Sequence, residues 1–219
     1  GLSRSTIGWA GLIFAVYAFN YLWAPLIDRI KIPWLTDKVG HRRGWIITMQ
    51  TLILICLIFW SLINPSANLA LVVSIGLIIA IASATQDITV DALRIEQIGE
   101  TEGKSMQAGA AMSVGGWWTG YKLGGGVALN SAEFFQQAGC ENYWQITFLV
   151  LGILIIVCNI GLLFVNEPRQ VNRTENQMRT DRMIEDKLGS SNILTKVIAW
   201  LTGTVIGPVI SFFKKNGFN

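Results

Sequence analysis

Five long apolar runs constrain the fold of this chain more than any other feature of its sequence. They are Thr6–Ile27, Trp45–Ile63, Leu69–Gln86, Gln107–Leu129 and Tyr143–Val165. A helix needs roughly 20 mostly apolar residues to cross a bilayer, and each run has about that length. The runs are too long for strands and do not alternate between apolar and polar residues, so we expect helices. The sequence therefore predicts an all-α integral membrane protein with five transmembrane helices.

The composition excludes several classes of protein. Only 14% of the residues are charged and 52% are hydrophobic, whereas soluble domains average roughly a quarter charged residues. The net charge of +3 does not indicate nucleic-acid binding, because the basic residues cluster between the apolar runs and form no stripe. With three cysteines and one histidine, the chain offers no metal site, disulfide framework or nucleophile–histidine pair. We therefore expect no metal, no cofactor, no nucleic-acid partner and no enzymatic activity.

The distribution of positive charge predicts the orientation of the chain in the membrane. Lysine and arginine are frequent in 28–44 and 169–187 but absent from 64–68 and 130–142. Since positively charged connections face the cytoplasm, the first two segments are expected inside and the other two outside. This alternation places Gly1 on the outer side.

Two regions are predicted along the chain. Residues 1–168 are expected to form a transmembrane bundle, with helices at about 6–27, 45–63, 69–91, 105–129 and 143–165. Residues 169–219 are expected to be a cytoplasmic loop, in which 192–213 has apolar residues at helical spacing. Polar interruptions favour an amphipathic helix lying on the inner leaflet, and a sixth crossing is the alternative that its length leaves open. The chain starts without methionine or a signal-peptide pattern, so both ends are expected to be truncated.

A charged motif in the first cytoplasmic connection has two interpretations. Asp28 and Arg29 follow the first run and, after a spacer, Gly40, Arg42 and Arg43 precede the second. The arginines alone would be a topology signal, but that role does not explain an aspartate at the membrane boundary. The alternative is a charge latch, in which these residues pair with acids or helix ends of a neighbouring bundle and hold one conformation.

Several motifs together resemble one family of transporters. The charged motif is similar to the G-x-x-x-D-R-x-G-R-R loop of the major facilitator superfamily, with Ala24 replacing the first glycine and a longer spacer. Ser83–Ala92 and Gly120–Gly124 are similar to the S-A-x-Q-D-x-x-x-D-A and G-Y-[RK]-L-G motifs of AmpG-type muropeptide permeases and acetyl-coenzyme A transporters. Asn166-Glu167-Pro168, which closes the fifth run, fits the same family. The resemblance covers essentially Gly1–Pro168.

The resemblance implies that the five runs are helices two to six of a twelve-helix transporter and form most of its N-terminal six-helix bundle. The first helix and the C-terminal half of the transporter would then be missing. It also implies proton symport of muropeptides, which are small anionic glycopeptides, from periplasm to cytoplasm across the bacterial inner membrane during peptidoglycan recycling. The implied partners are the lipid bilayer, this substrate and protons. An acetyl-coenzyme A or peptide transporter is the alternative within the family, and a membrane scaffold or sensor is the alternative outside it.

Three polar residues near the end of the third run are candidates for substrate binding or coupling: Gln86, Asp87 and Asp91. Asp87 and Asp91 are four positions apart and therefore share one face of a helix. Asp91 is expected at the cytoplasmic surface, paired with Arg94 three positions later. Asp87 is deeper, where a carboxylate is costly, so it is expected either to carry a proton or gate the site, or to make structural hydrogen bonds.

The fourth run contributes further candidates for the substrate site. Lys122 is expected in the outer half of the membrane, where it would attract an anionic substrate or reach the outer interface by snorkelling. Trp117 and Trp118 lie in mid-run, where they would stack on a sugar ring or pack in the core. The glycines at positions 116, 120 and 124 predict a close-packed helix interface. Asn20 replaces a lysine that is usual in the family, so details of substrate or coupling are expected to differ.

Overall fold

The computed structural model describes three continuous stretches, 15–63, 69–98 and 103–168, together with Gly8, Gly11 and short pieces between 179 and 214. Within these residues every regular element is helical, as the sequence predicts. The chain divides into two compact units. The first contains Gly1–Leu22 and Lys31–Pro168, and the second contains Trp23–Ile30 and Arg169–Asn219.

Six helices are labelled here, in addition to the helical residues 15–19 and a 3-10 turn at Asn20–Leu22. In chain order they are α1 (Ala24–Arg29), α2 (Leu35–Val39), α3 (His41–Leu62), α4 (Leu69–Ile98), α5 (Gly103–Gln137) and α6 (Tyr143–Leu163). Among the described residues, α3, α4 and α6 are long and apolar enough to span a membrane. Helix α5 has 35 residues but is not among these three, because glycine, serine and threonine lower its hydropathy. It is nevertheless longer than a crossing requires.

The core of the first unit lies between α3, α4 and α6. Helix α3 packs against both α4 and α6, while α5 packs against α6 and α4. Ile53 and Leu57 from α3 bury their side chains with Ala82 of α4, and the small alanine lets the two helices approach closely. The rings of Trp60 and Phe148, 5.2 Å apart, join α3 to α6. Large apolar side chains on the outside of this core remain exposed, as expected for helices that face lipid.

Helix α5 extends beyond the predicted run at both ends. The apolar run covers 107–129 and the helix is predicted at about 105–129, whereas the helix begins at Gly103 and continues to Gln137. Residues 130–137 read NSAEFFQQ, which is polar like a connection but contains no proline or glycine to end a helix. The helix ends two residues before Gly139, whose φ of +79° favours glycine. Its length of roughly 50 Å, at 1.5 Å per residue, exceeds the thickness of a bilayer.

The other predicted helices differ at their ends as well. Helix α3 begins at His41 and α4 continues to Ile98, because charged residues that lower hydropathy are good helix formers in water. The first predicted run, 6–27, is described only in part, and its described residues form no continuous helix. Residues 15–19 are helical, Asn20–Leu22 is a 3-10 turn, and α1 starts anew at Ala24. Pro25 lies in the first turn of α1, where its missing N–H leaves no hydrogen bond unmade.

The second unit joins α1 to the C-terminal segment. A π-helical turn at Thr202–Ile206 contacts α1 within this unit. Most of the predicted interfacial helix, 192–213, lies outside the described residues, and so does most of 169–187.

Cysteine labelling tests the predicted orientation at two exposed positions. Lys38 lies on α2 and Glu141 lies between α5 and α6. With Cys56, Cys140 and Cys158 replaced by serine, an impermeant maleimide is expected to label Glu141→Cys but not Lys38→Cys in intact cells, since basic segments stay inside. Labelling of both variants after permeabilisation is the control. Labelling of Lys38→Cys alone in intact cells would show that the predicted orientation is the wrong way round.

Candidate functional site

A cavity between α4 and α5 brings several of the predicted site residues together. It has a volume of about 470 Å³ and is lined by Asp87, Val90, Asp91, Ser113, Val114, Gly116 and Trp117. The two aspartates reach it together because they are one helical turn apart on α4. On α5, Gly116 and Ser113 leave room for the cavity because neither has a bulky side chain. Two carboxylates, a hydroxyl and an indole ring therefore face one space within the described residues.

The two aspartates have different surroundings. The predicted pair with Arg94 is present, with Arg94 Nη2 at 3.1 Å from Asp91 Oδ1. Ser113 of α5 also donates a hydrogen bond from Oγ to Asp91 Oδ1 at 3.4 Å. In contrast, no hydrogen bond or ion pair joins Asp87 to another described residue. Asp91 is thus held in place, whereas Asp87 presents its carboxylate to the cavity.

An aromatic cluster, formed by Trp117, Trp118 and Tyr121 of α5, adjoins the cavity. The rings of Trp117 and Tyr121 are nearly parallel, with centroids 5.8 Å apart. Trp118 meets Trp117 edge-on at 5.1 Å and Tyr121 edge-on at 6.5 Å. The three residues are 56%, 52% and 69% exposed, so none of them is packed in a core formed by the described residues. Tyr121 is part of the Gly120–Gly124 motif but was not predicted as a site residue, although its i+4 spacing from Trp117 would have placed it beside that ring.

Lys122 is next to this cluster and outside the cavity lining. Its Nζ lies 6.0 Å from the centroid of the Trp118 ring, at the outer limit for a cation–π contact. The side chain is exposed. On α5 it follows Trp117 by five positions, a rise of about 7.5 Å. A positive charge, three aromatic rings and the cavity therefore follow one another along the helix.

The remaining predicted residues are more peripheral. Gln86 is half-buried and is not part of the cavity lining. Asn20 lies in the 3-10 turn that packs against α4. A Cβ added at Gly116, Gly120 or Gly124 would meet no atom within 4 Å, so in the described part of the chain no helix packs closely on this glycine face.

A second group of polar residues joins the ends of α3, α4 and α6. We call it the helix-end network: Arg42, Arg43, Glu96, Gln97 and Glu167. Arg42 Nε and Nη2 both donate to Glu96 Oε1, at 3.0 and 2.8 Å. The Glu167 carboxylate accepts hydrogen bonds from the backbone N–H groups of Arg42 at 2.9 Å and Arg43 at 3.0 Å. A carboxylate at this end of α3 satisfies free N–H groups and interacts favourably with the helix dipole.

Two further contacts complete the helix-end network. Gln97 Nε2 donates to the Asn166 carbonyl at 2.6 Å, and Arg43 Nη2 donates to the Leu163 carbonyl at 3.1 Å. Gly40 immediately precedes α3 with φ +105°, and a Cβ there would collide with the Glu167 carboxylate. Glycine is therefore required at position 40 both by its backbone conformation and by the lack of space.

The predicted charge motif is divided between the two units. Gly40, Arg42 and Arg43 belong to the first unit, whereas Asp28 and Arg29 lie on α1 in the second. The latch hypothesis placed the partners of the arginines on a neighbouring bundle. In the structure, Glu96 and the Leu163 carbonyl, to which Arg42 and Arg43 donate, lie in the same unit. This is because α3, α4 and α6 end beside one another.

Comparison with known proteins agrees with this architecture. Residues 1–217 match the Major Facilitator Superfamily. The chain is 31% identical over 199 residues to "Putative transporter AmpG 4" of Rickettsia felis, which covers 91% of this chain and 42% of the relative. It is 34% identical over 167 residues to "Anhydromuropeptide permease" of Escherichia coli K12, which covers 76% of this chain and 31% of the relative. The chain thus spans less than half the length of these relatives.

The sequence match and the fold point to the same conclusion. The match extends over almost the whole chain, and the described residues form an all-helical structure with three helices apolar enough to cross a membrane. The relatives resemble the chain over both the cavity helices and the helix-end network, since the match to the Rickettsia felis protein covers 91% of the chain. This chain is an all-α integral membrane protein that belongs to the Major Facilitator Superfamily and is similar to its AmpG-type members.

Proposed function

We propose that the chain is part of a secondary transporter that imports anhydromuropeptides from periplasm to cytoplasm across the inner membrane, driven by protons. Support for the substrate comes from the similarity to relatives named as an anhydromuropeptide permease and an AmpG transporter. The observation that carries the proposal is the cavity between α4 and α5, which combines two carboxylates with an aromatic wall. Ionisable residues on membrane-spanning helices are costly and tend to mark substrate or proton pathways.

Asp87 is the proposed proton carrier. Its carboxylate lines the cavity without a fixed partner among the described residues, so it is free to exchange a proton with the contents of the cavity. Asp91 is held by Arg94 and Ser113, which suits a structural role. Asp87 protonation would remove a charge from the cavity wall and so favour a state in which that wall is closed from water.

The aromatic cluster and Lys122 are the proposed contacts for the glycopeptide. A pyranose ring presents C–H groups that pack on an aromatic face, and exposed tryptophan and tyrosine provide such faces. Lys122 would attract the carboxylates of the peptide part. Because Trp117 belongs to both the cluster and the cavity, a substrate lying on the cluster would reach the space that Asp87 lines.

The helix-end network fits a mechanism of rigid-body movement. In alternating access, helical bundles rock against one another around a central site. By joining the ends of α3, α4 and α6 through Arg42, Glu96 and Glu167, the network would keep these helices moving together. The aspartates of α4 would then change their access to water without a change in the core of the unit.

A membrane scaffold, the rival outside the family, requires its polar and aromatic side chains to be buried between helices. Trp117, Trp118 and Lys122 are exposed in the described part of the chain, which favours the transporter. Competition for uptake by acetyl-coenzyme A or by free peptides separates the alternatives within the family.

Uptake of a radiolabelled anhydromuropeptide by cells that express the complete transporter tests the proposal. Lys122→Gln is expected to weaken the apparent affinity about tenfold, the equivalent of about 1.4 kcal/mol, with a smaller effect on the maximal rate. Lys122→Arg should retain part of the affinity, since the charge remains. Lys104→Gln, which removes another exposed lysine of α5, should have no effect. Equal effects of the changes at 104 and 122, or no uptake by the unmodified protein, would refute the proposal.

A further inference from the structure

Arg94 connects α4 to α5 at one end of the cavity. Its guanidinium lies 3.1 Å from Asp91 Oδ1 through Nη2, and Nη1 donates a hydrogen bond to the Gly109 carbonyl at 2.9 Å. Since Asp91 is on α4 and Gly109 is on α5, the side chain bridges the two helices. The buried Nε atom has no hydrogen-bond partner among the described residues, so within them these two contacts hold the guanidinium in place.

The two helices are in close contact at this bridge. A Cβ added at Gly109 would collide with Ile98 Cδ1 and would lie 3.6 Å from Arg94 Cδ. A glycine at this position therefore allows α5 to reach the last turn of α4. At Gly116, two turns further along α5, a Cβ would meet nothing within 4 Å. The contact between α4 and α5 is tight at the Arg94 bridge and open at the cavity.

The bridge and the cavity share Asp91. Asp91 and Ser113 line the cavity, while Arg94 lies three positions beyond Asp91 on α4 and Gly109 lies four positions before Ser113 on α5. Arg94 thus stands one helical turn outside the cavity, on the side of the connection between Ile98 and Gly103. A change at the Asp91 carboxylate therefore affects both the bridge and the cavity lining.

We propose that Arg94 closes this end of the cavity by tying α5 to α4, and that breaking its ion pair with Asp91 releases the tie. The proposal rests on the proton-driven transport proposed above and identifies a contact between α4 and α5 that would break during it. A charged Asp91 orients the guanidinium toward the Gly109 carbonyl. Without this ion pair the guanidinium keeps one hydrogen bond to a carbonyl, which is a weak tie for a mobile arginine.

Few other charged groups among the described residues could replace Arg94 as the partner of Asp91. On α4 the neighbouring charged groups are Asp87, one turn before it, and Arg94, one turn after it. The described face of α5 presents the uncharged Ser113, and Lys104 and Lys122 are each nine positions from that serine. From the start of α3, Arg42 pairs with Glu96 of α4, and Arg43 donates to the Leu163 carbonyl. The 3-10 turn packed against α4 carries no charge at neutral pH.

Distance measurements between spin labels test the tie without any need for transport. Labels are attached at Ile95→Cys on α4 and Met112→Cys on α5, positions that are 41% and 76% exposed, after the native cysteines are replaced. Arg94→Gln and Asp91→Asn are each expected to lengthen this distance by about 2–5 Å and to broaden it, as for other helix shifts. Gln97→Ala is the matched control, because Gln97 binds the Asn166 carbonyl and does not bridge to α5.

A third variant disrupts the contact between the helices while keeping both residues of the ion pair. Gly109→Val keeps both Arg94 and Asp91 but inserts a side chain where α4 and α5 touch, so it too should lengthen the distance. Unchanged distances in Arg94→Gln, Asp91→Asn and Gly109→Val would overturn the proposal and leave the transport function intact. Lengthened distances in a transporter that takes up no anhydromuropeptide would keep the tie and refute the proposed substrate. A lengthening in Gln97→Ala as large as in Arg94→Gln would also overturn it, since the effect would then be general loosening.

Discussion

Arg42→Met is expected to lower the free energy of unfolding of the first unit by about 3 kcal/mol, the typical cost of breaking a buried ion pair from one side. The Arg42 side chain is 3% exposed and that of Glu96 is 12% exposed, so the glutamate would lose a positive charge that lies 2.8 Å away, where water compensates little. Unfolding by sodium dodecyl sulfate in mixed micelles, followed by circular dichroism, measures the effect.

Two controls separate the ion pair from general damage at the start of α3. Arg43→Met removes the neighbouring arginine, whose guanidinium hydrogen bond to the Leu163 carbonyl is exposed, so its cost should stay below about 1 kcal/mol. The double variant Arg42→Met/Glu96→Met should recover most of the stability, because two apolar side chains can replace a buried pair. Equal losses at positions 42 and 43, or additive losses in the double variant, would contradict this account.

Hydropathy predicts which segments are helices but not where they end. The runs at 45–63, 69–86 and 143–165 correspond to α3, α4 and α6 because burial in lipid requires about 20 apolar residues. The polar ends of the helices, such as His41–Gly44 of α3 and residues 130–137 of α5, carry no such apolar signal. Residues 130–137 become helical because they contain no proline or glycine to end the helix, and His41–Gly44 becomes helical because Glu167 caps the start of α3. The spacing of apolar residues cannot reveal a capping side chain that lies 125 residues away along the chain.

The candidate site was predictable where it depends on local spacing. Asp87 and Asp91 share a face through their i, i+4 relation, and the Asp91–Arg94 pair follows from i, i+3. The pairing of Arg42 with Glu96, 54 residues apart, depends on how the ends of α3 and α4 meet, and no sequence spacing encodes it. The same holds for Ser113 and for the contact of Gly109 with the end of α4.

Asp87→Asn is expected to abolish accumulation of anhydromuropeptide against a gradient while sparing substrate binding and downhill exchange. The amide has nearly the shape of the protonated acid but cannot release a proton, so the coupling cycle stops at one step. Its cavity position, without a partner among the described residues, makes a large structural effect of the substitution unexpected. Uptake measured with and without a proton gradient, together with binding to the purified complete transporter, separates the two quantities.

Substitution of Lys122 is expected to have the opposite pattern of effects on binding and coupling. Lys122→Gln should reduce binding and leave the coupling to protons intact, because the lysine lies beside Trp118 and outside the cavity lining. Asp37→Asn, which removes an exposed acid of α2, is the control for loss of a carboxylate and should behave as the unmodified protein. The double variant Asp87→Asn/Lys122→Gln should combine both defects, since each side chain acts on a separate step. If the double variant instead regained the uptake that each single variant loses, the aspartate and the lysine would be an ion pair during the cycle, and their separate roles in coupling and binding would be disproved.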